Sequence, residues 1–325
     1  MPAPEKLRLT CSGTLPYNNP VDETKRKNVL QKGGEDMKYE QGGAAKSVAA
    51  LNLAVMLFGF AAVIGRFVQV PSAVIAGGRV ICSSAVLLVL ALATRTPLRL
   101  AEKRDLGLAV FAGLVLAFHW TTFFQAIQVS SVAMGTITFS AFPLFLTVLE
   151  PLVFRERLRA RSAVEAVLLL AGVLITLPPD ALNSGAAAGA AWGMLSGLAY
   201  AVLSLANRHL SARYPARVIC LYEQATAAVA LLPAVLFWPG SWTAADLWGI
   251  GALGVVCTAL AHSLYVTAQR RVSAQAAGIV SGMETVYGIL FALAFLGEAP
   301  TGRELAGGAV ILGVSLTASL QAGRK

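Results

Sequence analysis

Few ionisable side chains interrupt the apolar runs of this 325-residue chain, and those few are its candidates for chemistry. Each costs at least about 2.5 kcal/mol at the centre of a membrane helix on insertion scales, so each needs a partner or a purpose. Arg79 and Glu223 hold corresponding places, each eight residues after a proline, Pro71 and Pro215. Together they could grip the two ends of a zwitterion. They equally suit a structural ion pair, or an arginine snorkelling to the interface. His119 and His262 stand 143 residues apart and could bind a carboxylate or relay protons, because imidazole titrates near neutral pH. The plainer alternative is a pair of hydrogen-bonded helix-packing histidines. Glu284 lies near the middle of its apolar run with nothing basic within a turn. An ionised carboxylate there is badly solvated unless cavity water reaches it, which makes Glu284 the candidate coupling-proton site or contact for a substrate ammonium. Otherwise it is a neutral side chain that hydrogen-bonds a neighbouring helix.

Aromatic residues gather beside these groups: Trp120, Phe123 and Phe124 by His119, Tyr222 by Glu223, Tyr265 by His262, Tyr287 by Glu284, and Trp192 and Tyr200 on another run. Such a wall suits a small amphiphile, or an organic cation held through cation–π contact, although some of these rings suit plain packing or lipid exposure. Other chemistries are disfavoured. The third histidine, His209, lies in a basic loop, and Cys11, Cys82, Cys220 and Cys257 show no paired spacing, so neither a metal site nor a cofactor is expected. HExxH and GxSxG are missing, which argues against an intramembrane enzyme, and no GxxxxGK[ST] loop supports an ATP-driven pump.

The elements that must position these residues are membrane helices. The sequence is 56% hydrophobic and 13% charged, against about 25% charged in soluble proteins. Ten segments reach the roughly 20 apolar residues that a span requires: 47–67, 71–93, 106–127, 131–154, 162–178, 188–207, 216–237, 247–268, 275–296 and 304–320. Each is expected to be helical, because an open strand leaves its backbone unsatisfied in lipid. Residues 1–46 are polar and rich in turn formers, and are expected to form a disordered cytoplasmic tail. Met37 follows Gly33-Gly34-Glu35-Asp36, whose codons would be purine-rich like a bacterial ribosome-binding site, and is expected as the natural start.

The stretch from Phe118 to Glu156 returns, degraded, from Ala261 to Glu298. Ser130, Pro143 and Glu156 of the first copy correspond to Ser273, Thr285 and Glu298 of the second, a spacing that signals duplication. Two five-span halves are therefore expected, at 47–178 and 188–320. Five is odd, so the halves must be inverted, and loop charges agree. The loops after the second, fourth, sixth and eighth spans carry clusters such as Arg155, Arg157, Arg159 and Arg161, whereas Arg303 is the lone basic residue among the loops after the third, fifth, seventh and ninth. Both termini are expected in the cytoplasm. The net charge of +9 thus reports orientation, and nucleic acid is not an expected partner. Trp238, Trp242 and Trp248 read as an outer interface belt. Glu156 and Glu298, at span ends, read as structural, and Glu150 as snorkelling to Arg155 and Arg157.

Over residues 47–320 the chain resembles the drug/metabolite transporter superfamily, in particular its ten-helix EamA-type exporters. The resemblance rests on Pro143 in a long fourth span ending at Glu156, and on Met283-Glu284-Thr285-Val286 leading to Leu296-Gly297-Glu298. Arg79 within the second span and the glycine-rich fifth and tenth spans add to it. One departure is Thr285, where the family usually has proline, so the two halves need not bend alike. The resemblance implies an all-α integral membrane protein, a basket of two inverted five-helix repeats around a central cavity with spans five and ten peripheral. It implies export of small metabolites, amino acids among them. The expected function is therefore a secondary transporter of the cell inner membrane, working by alternating access on amino acids or related zwitterions. Its expected partners are that substrate, the lipid bilayer and protons, as a monomer or homodimer. An exporter of hydrophobic organic cations is the rival within transport; an intramembrane enzyme or a receptor is the rival from another class.

Overall fold

The computed structural model describes residues 47–154, 160–181, 184–211, 213–269 and 274–322. The expected tail, Glu150's partners Arg155 and Arg157, Glu156 and Ser273 lie outside the described residues. The described chain is helical throughout: α1 (Ser47–Phe67), α2 (Ser72–Ala93), α3 (Lys103–Val129), α4 (Val132–Phe139), α5 (Phe142–Phe154), α6 (Ala160–Thr176), α7 (Ala186–Ser211), α8 (Ala216–Leu236), α9 (Ala244–Gly254), α10 (Ala261–Gln269), α11 (Ala274–Leu296) and α12 (Gly302–Ala322). Six of these rods, α1, α2, α3, α7, α8 and the continuous α9–α10, are long and apolar enough to cross a bilayer. Of the others, the 17-residue α6 reaches about 26 Å at 1.5 Å per residue, close to the hydrocarbon thickness, while α4 and α5 together make up the broken fourth span. Exposed Leu88, Val89, Leu92, Leu170, Leu174, Leu290 and Leu293 give the outer faces the apolar surface that lipid requires.

Three helices pack on the counterpart that the repeat assigns them, and each runs antiparallel to it. Gly77, early in α2, approaches Leu231 and Val235 late in α8, while Arg217 at the start of α8 reaches Thr94 beyond the end of α2. Midway, Ser83 donates to Gln224 at 2.9 Å. Gly172 of α6 faces Gly307 and Ile311 of α12, and Arg303 at the start of α12 donates to the Leu177 carbonyl beyond α6. Glu298 beyond α11 accepts from the Val132 amide at the start of α4 at 3.2 Å. A helix antiparallel to its own counterpart requires a two-fold axis perpendicular to both. The two five-helix repeats are inverted.

The halves are not bent alike. The fourth span breaks at Ser140–Ala141, just before Pro143, which lacks an N–H to donate and favours such a break. Its counterpart α11, with Thr285 in place of proline, runs unbroken for 23 residues. Thr285 crosses the break itself: its hydroxyl meets Ser140 and donates to the Thr136 carbonyl at 3.1 Å, which also accepts from the Ser140 amide. A second asymmetry lies in the eighth span, where Val255–Leu260 adopts a π-helical turn between α9 and α10. Glycine permits the close crossings. A Cβ at Gly59 would lie 2.8 Å from the Gly288 nitrogen and 2.9 Å from the Glu284 carbonyl oxygen of α11.

Each end is tied by polar contacts that satisfy helix termini. At the end where α1 and α3 finish, Arg66 pairs with Glu298 at 3.1 Å and donates to the Ile127 and Gln128 carbonyls. Asp246 closes a capping box with Thr243 and accepts from the Gln69 amide. Trp242 and Trp248 are exposed there, whereas Trp238 is half-buried against the core. At the opposite end, buried Asp105 in the first turn of α3 accepts from Arg213 at 2.8 Å and from the Tyr214 hydroxyl at 2.7 Å. The bond to Asp105 raises the Tyr214 phenol above its usual value, so it stays neutral and donating at physiological pH.

Candidate substrate site

Arg79 is fully buried about a third of the way along α2, and two features of its neighbour hold it. Gly254 lets α9 ride against the α2 backbone, since a Cβ there would lie 2.8 Å from the Arg79 carbonyl oxygen. The π-helical turn that follows then swings Thr258 toward the guanidinium. Nε and Nη2 of Arg79 donate to Thr258 Oγ1 at 2.9 and 2.6 Å, and Nη2 also donates to the Cys257 carbonyl at 3.4 Å. Thr258 Oγ1 in turn donates to the Leu253 carbonyl at 2.7 Å, so its hydrogen-bonding capacity is filled. The guanidinium carbon lies 3.5 Å from the Trp120 ring centroid, a cation–π contact in a dry setting.

Of the alternatives for Arg79 and Glu223, the structural ion pair is not formed among the described residues. Thr258 and Trp120 take the arginine, and the buried Glu223 carboxylate instead shares a hydrogen bond with Asn207 of α7. Five buried polar atoms in this region lack a hydrogen-bond partner among the described residues: Arg79 Nη1, Trp120 Nε1, His262 Nε2, Glu223 Oε1 and Asn207 Oδ1. Buried polar groups are rarely left so, and each unsatisfied one costs on the order of 1–3 kcal/mol.

The two histidines have diverged. His119 Nδ1 is bonded to the Ser196 hydroxyl at 2.8 Å, which locks α3 to α7, and its ring packs against Trp120, Phe139 and Tyr200. His262 instead sits edge-on to Trp120, with ring centroids 6.1 Å apart, and against Phe58 at 5.0 Å. Phe123 is buried between His119 and Phe139. Tyr200 shares a hydrogen bond with Tyr265, bringing α7 and α10 together, and Tyr265 also meets Ser281 at 3.0 Å. Tyr200, His262, Tyr265 and Glu284 are half-exposed, so this side of the cluster is open to solvent or lipid.

Two of the expected residues lie elsewhere. Tyr222 faces away from the cluster into the α2–α8 seam, where its hydroxyl donates to the Leu98 carbonyl at 3.1 Å. Tyr287 stacks on Phe291 of its own helix and lies against Gly59 of α1. Thr258, Cys257, Asn207, Ser196, Phe58 and Phe139 were not singled out by sequence reasoning. A lone threonine in an apolar run carries no signal; the glycines Gly249, Gly251 and Gly254 ahead of it were the available hint of a close crossing.

The sequence profile of the EamA-like transporter family matches the chain twice, over residues 45–177 and 187–319. The chain belongs to the EamA-like transporter family. An uncharacterised transporter of Archaeoglobus fulgidus is 32% identical over 65% of this chain and 74% of its own length. The aromatic amino acid exporter YddG of Ancylobacter novellus is 28% identical over 65% of this chain and 75% of its own. A crystal structure 20% identical in sequence superposes with a TM-score of 0.59, covering 86% of this chain and 98% of that one, and shares the fold. This EamA-like protein is therefore a multi-pass membrane transporter of small molecules.

Proposed function

We infer that this EamA-like protein is a secondary transporter that carries a small carboxylate-bearing amphiphile, an amino acid or related zwitterion, out of the cell by alternating access. The observation that carries the reading is the guanidinium of Arg79, held on two sides but with Nη1 free, beside the free donors or acceptors of Trp120 and His262. A carboxylate would accept from Arg79 and Trp120 together, and such charge-assisted bonds are among the stronger ones available. The half-exposed acid Glu284 offers an anchor for an ammonium, and Tyr200 and Tyr265 offer aromatic surface for a side chain. The name of the YddG relative points the same way. A hydrophobic cation fits less well, because it would meet the buried positive charge of Arg79. The two repeats, 47–178 and 188–320, would act as the rocking units.

The test is uptake into proteoliposomes of the purified protein with labelled amino acids and organic cations, with and without a pH gradient. Amino acid uptake that unlabelled carboxylates suppress is the expected result; uptake of cations alone would overturn the assignment.

Orientation belongs to the same reading: both termini face the cytoplasm of the inner membrane, with residues 1–46 as a cytoplasmic tail, because the basic loops lie at one end. In a background without Cys11, Cys82, Cys220 and Cys257, cysteines replacing Ser184 and Ser241 are expected to react with an impermeant reagent on intact cells. Cysteines replacing Ser162 and Ser211 should not. Outside labelling at Ser211 would reverse the assignment.

A further inference from the structure

A second site lies outside the polar cluster, in the seam between α2 and α8 at the end that carries the basic loops. A partly open groove of about 290 Å³ is lined there by Ala85, Leu88, Leu98, Leu221, Tyr222 and Ala225. Its wall offers no free polar group to a ligand. The Tyr222 hydroxyl is spent on the Leu98 carbonyl, and the Ser84 hydroxyl donates back to its own helix at Val80 at 2.6 Å. Such a groove selects hydrocarbon.

Three arginines adjoin its lining residues along the chain. Arg217 lies one helical turn before Leu221 and donates to Thr94 Oγ1 at 2.9 Å, Arg95 follows Thr94, and Arg99 follows Leu98. All three are exposed, and among the described residues none forms a salt bridge, whereas nearby Arg213 is bound to both Glu102 and Asp105. Arg95 also holds a left-handed backbone conformation, φ 49°, at the end of α2. Glycine is the usual residue for that place, and a side chain there costs roughly 1 kcal/mol. The chain keeps an arginine where its backbone disfavours one.

We propose that this groove binds one acyl chain of an anionic phospholipid whose headgroup phosphate is held by Arg95, Arg99 and Arg217. An apolar slot with three exposed arginines beside its lining residues, none of them in a salt bridge among the described residues, suits both the chain and the headgroup of that ligand. Basic pockets between membrane helices are known to favour anionic headgroups, and arginine holds phosphate bidentately. Because the groove lies where the two repeats meet through α2 and α8, a bound lipid would brace that seam.

The test uses the purified full chain in a neutral detergent, with thermal unfolding and native mass spectrometry read after adding phosphatidylglycerol or phosphatidylcholine. Phosphatidylglycerol is expected to raise Tm by about 3 °C or more over phosphatidylcholine, as a ligand of the folded state does, and to leave a retained adduct. Changing Arg95, Arg99 and Arg217 together to glutamine should abolish the preference. Ala85→Leu fills the exposed edge of the groove without touching any charge and should reduce the retained adduct at least threefold; Ala225→Leu repeats the test from α8. Arg303→Gln, at the other end, should change nothing. Equal stabilisation by the two lipids would overturn the proposal. So would an Ala85→Leu protein that keeps its full response to phosphatidylglycerol, since the lipid would then be held by basic charge alone.

Discussion

Arg79→Ala is expected to lower substrate exchange in proteoliposomes by at least about 30-fold, and removing Glu223 as well should not restore it. Truncating one member of a buried, hydrogen-bonded charge contact costs about 2–5 kcal/mol, which spans roughly 30-fold to several thousand-fold. Were the two residues an ion pair, the double variant would remove both uncompensated charges and recover much of the loss. The geometry says otherwise, because Thr258 and Trp120 engage Arg79 and Asn207 engages Glu223. Arg79→Lys keeps the charge but cannot donate from two nitrogens to Thr258 while lying flat on Trp120, so an intermediate loss of about tenfold is expected. Exchange must be normalised to folded protein by size-exclusion chromatography, so that a folding defect is not counted as a binding defect. Full recovery in the Arg79→Ala, Glu223→Ala protein would show that the two side chains do pair during transport.

The fold was legible because bilayer physics leaves so few options. Long apolar runs must be helices, a duplicated set of five must be inverted, and the antiparallel α2–α8, α6–α12 and α4–α11 pairs agree. The break before Pro143 and the unbroken helix at Thr285 also follow from whether a proline is present. The site was legible only as a set of residue types. Tyr222 was grouped with Glu223 because they adjoin in sequence, yet neighbours on a helix point about 100° apart, and Tyr222 faces the groove instead. Corresponding positions likewise suggested an Arg79–Glu223 pair, but among the described residues the π-helical turn is present in one repeat alone, and it shifts Thr258 into place. Without a proline to announce it, such a turn has no counterpart in the hydrophobic pattern.

Glu284→Gln is expected to leave exchange of substrate across the membrane intact while abolishing accumulation driven by a pH gradient. Glu284 is half-exposed on an unbroken helix, and its backbone carbonyl lies against the α1 crossing at Gly59. Among the described residues, Tyr200 on α7 and His262 and Tyr265 on α10 are the other titratable groups on this open side. In a proton-for-substrate exchange, the carrier must take a proton from the acidic side and release it to the alkaline side once per cycle. With an acidic vesicle lumen, protons leaving drive substrate inward. One proton per substrate supports at most about tenfold accumulation per pH unit, the equivalent of about 1.4 kcal/mol. Glutamine keeps the size and hydrogen bonding of the side chain but cannot carry the proton, so accumulation should fall to a ratio of about one while exchange continues. Substitution of Met283, next on the helix but exposed, should leave the gradient response unchanged. Should the Glu284→Gln protein still accumulate substrate tenfold per pH unit, Glu284 is not the proton carrier, and His262→Gln becomes the decisive variant.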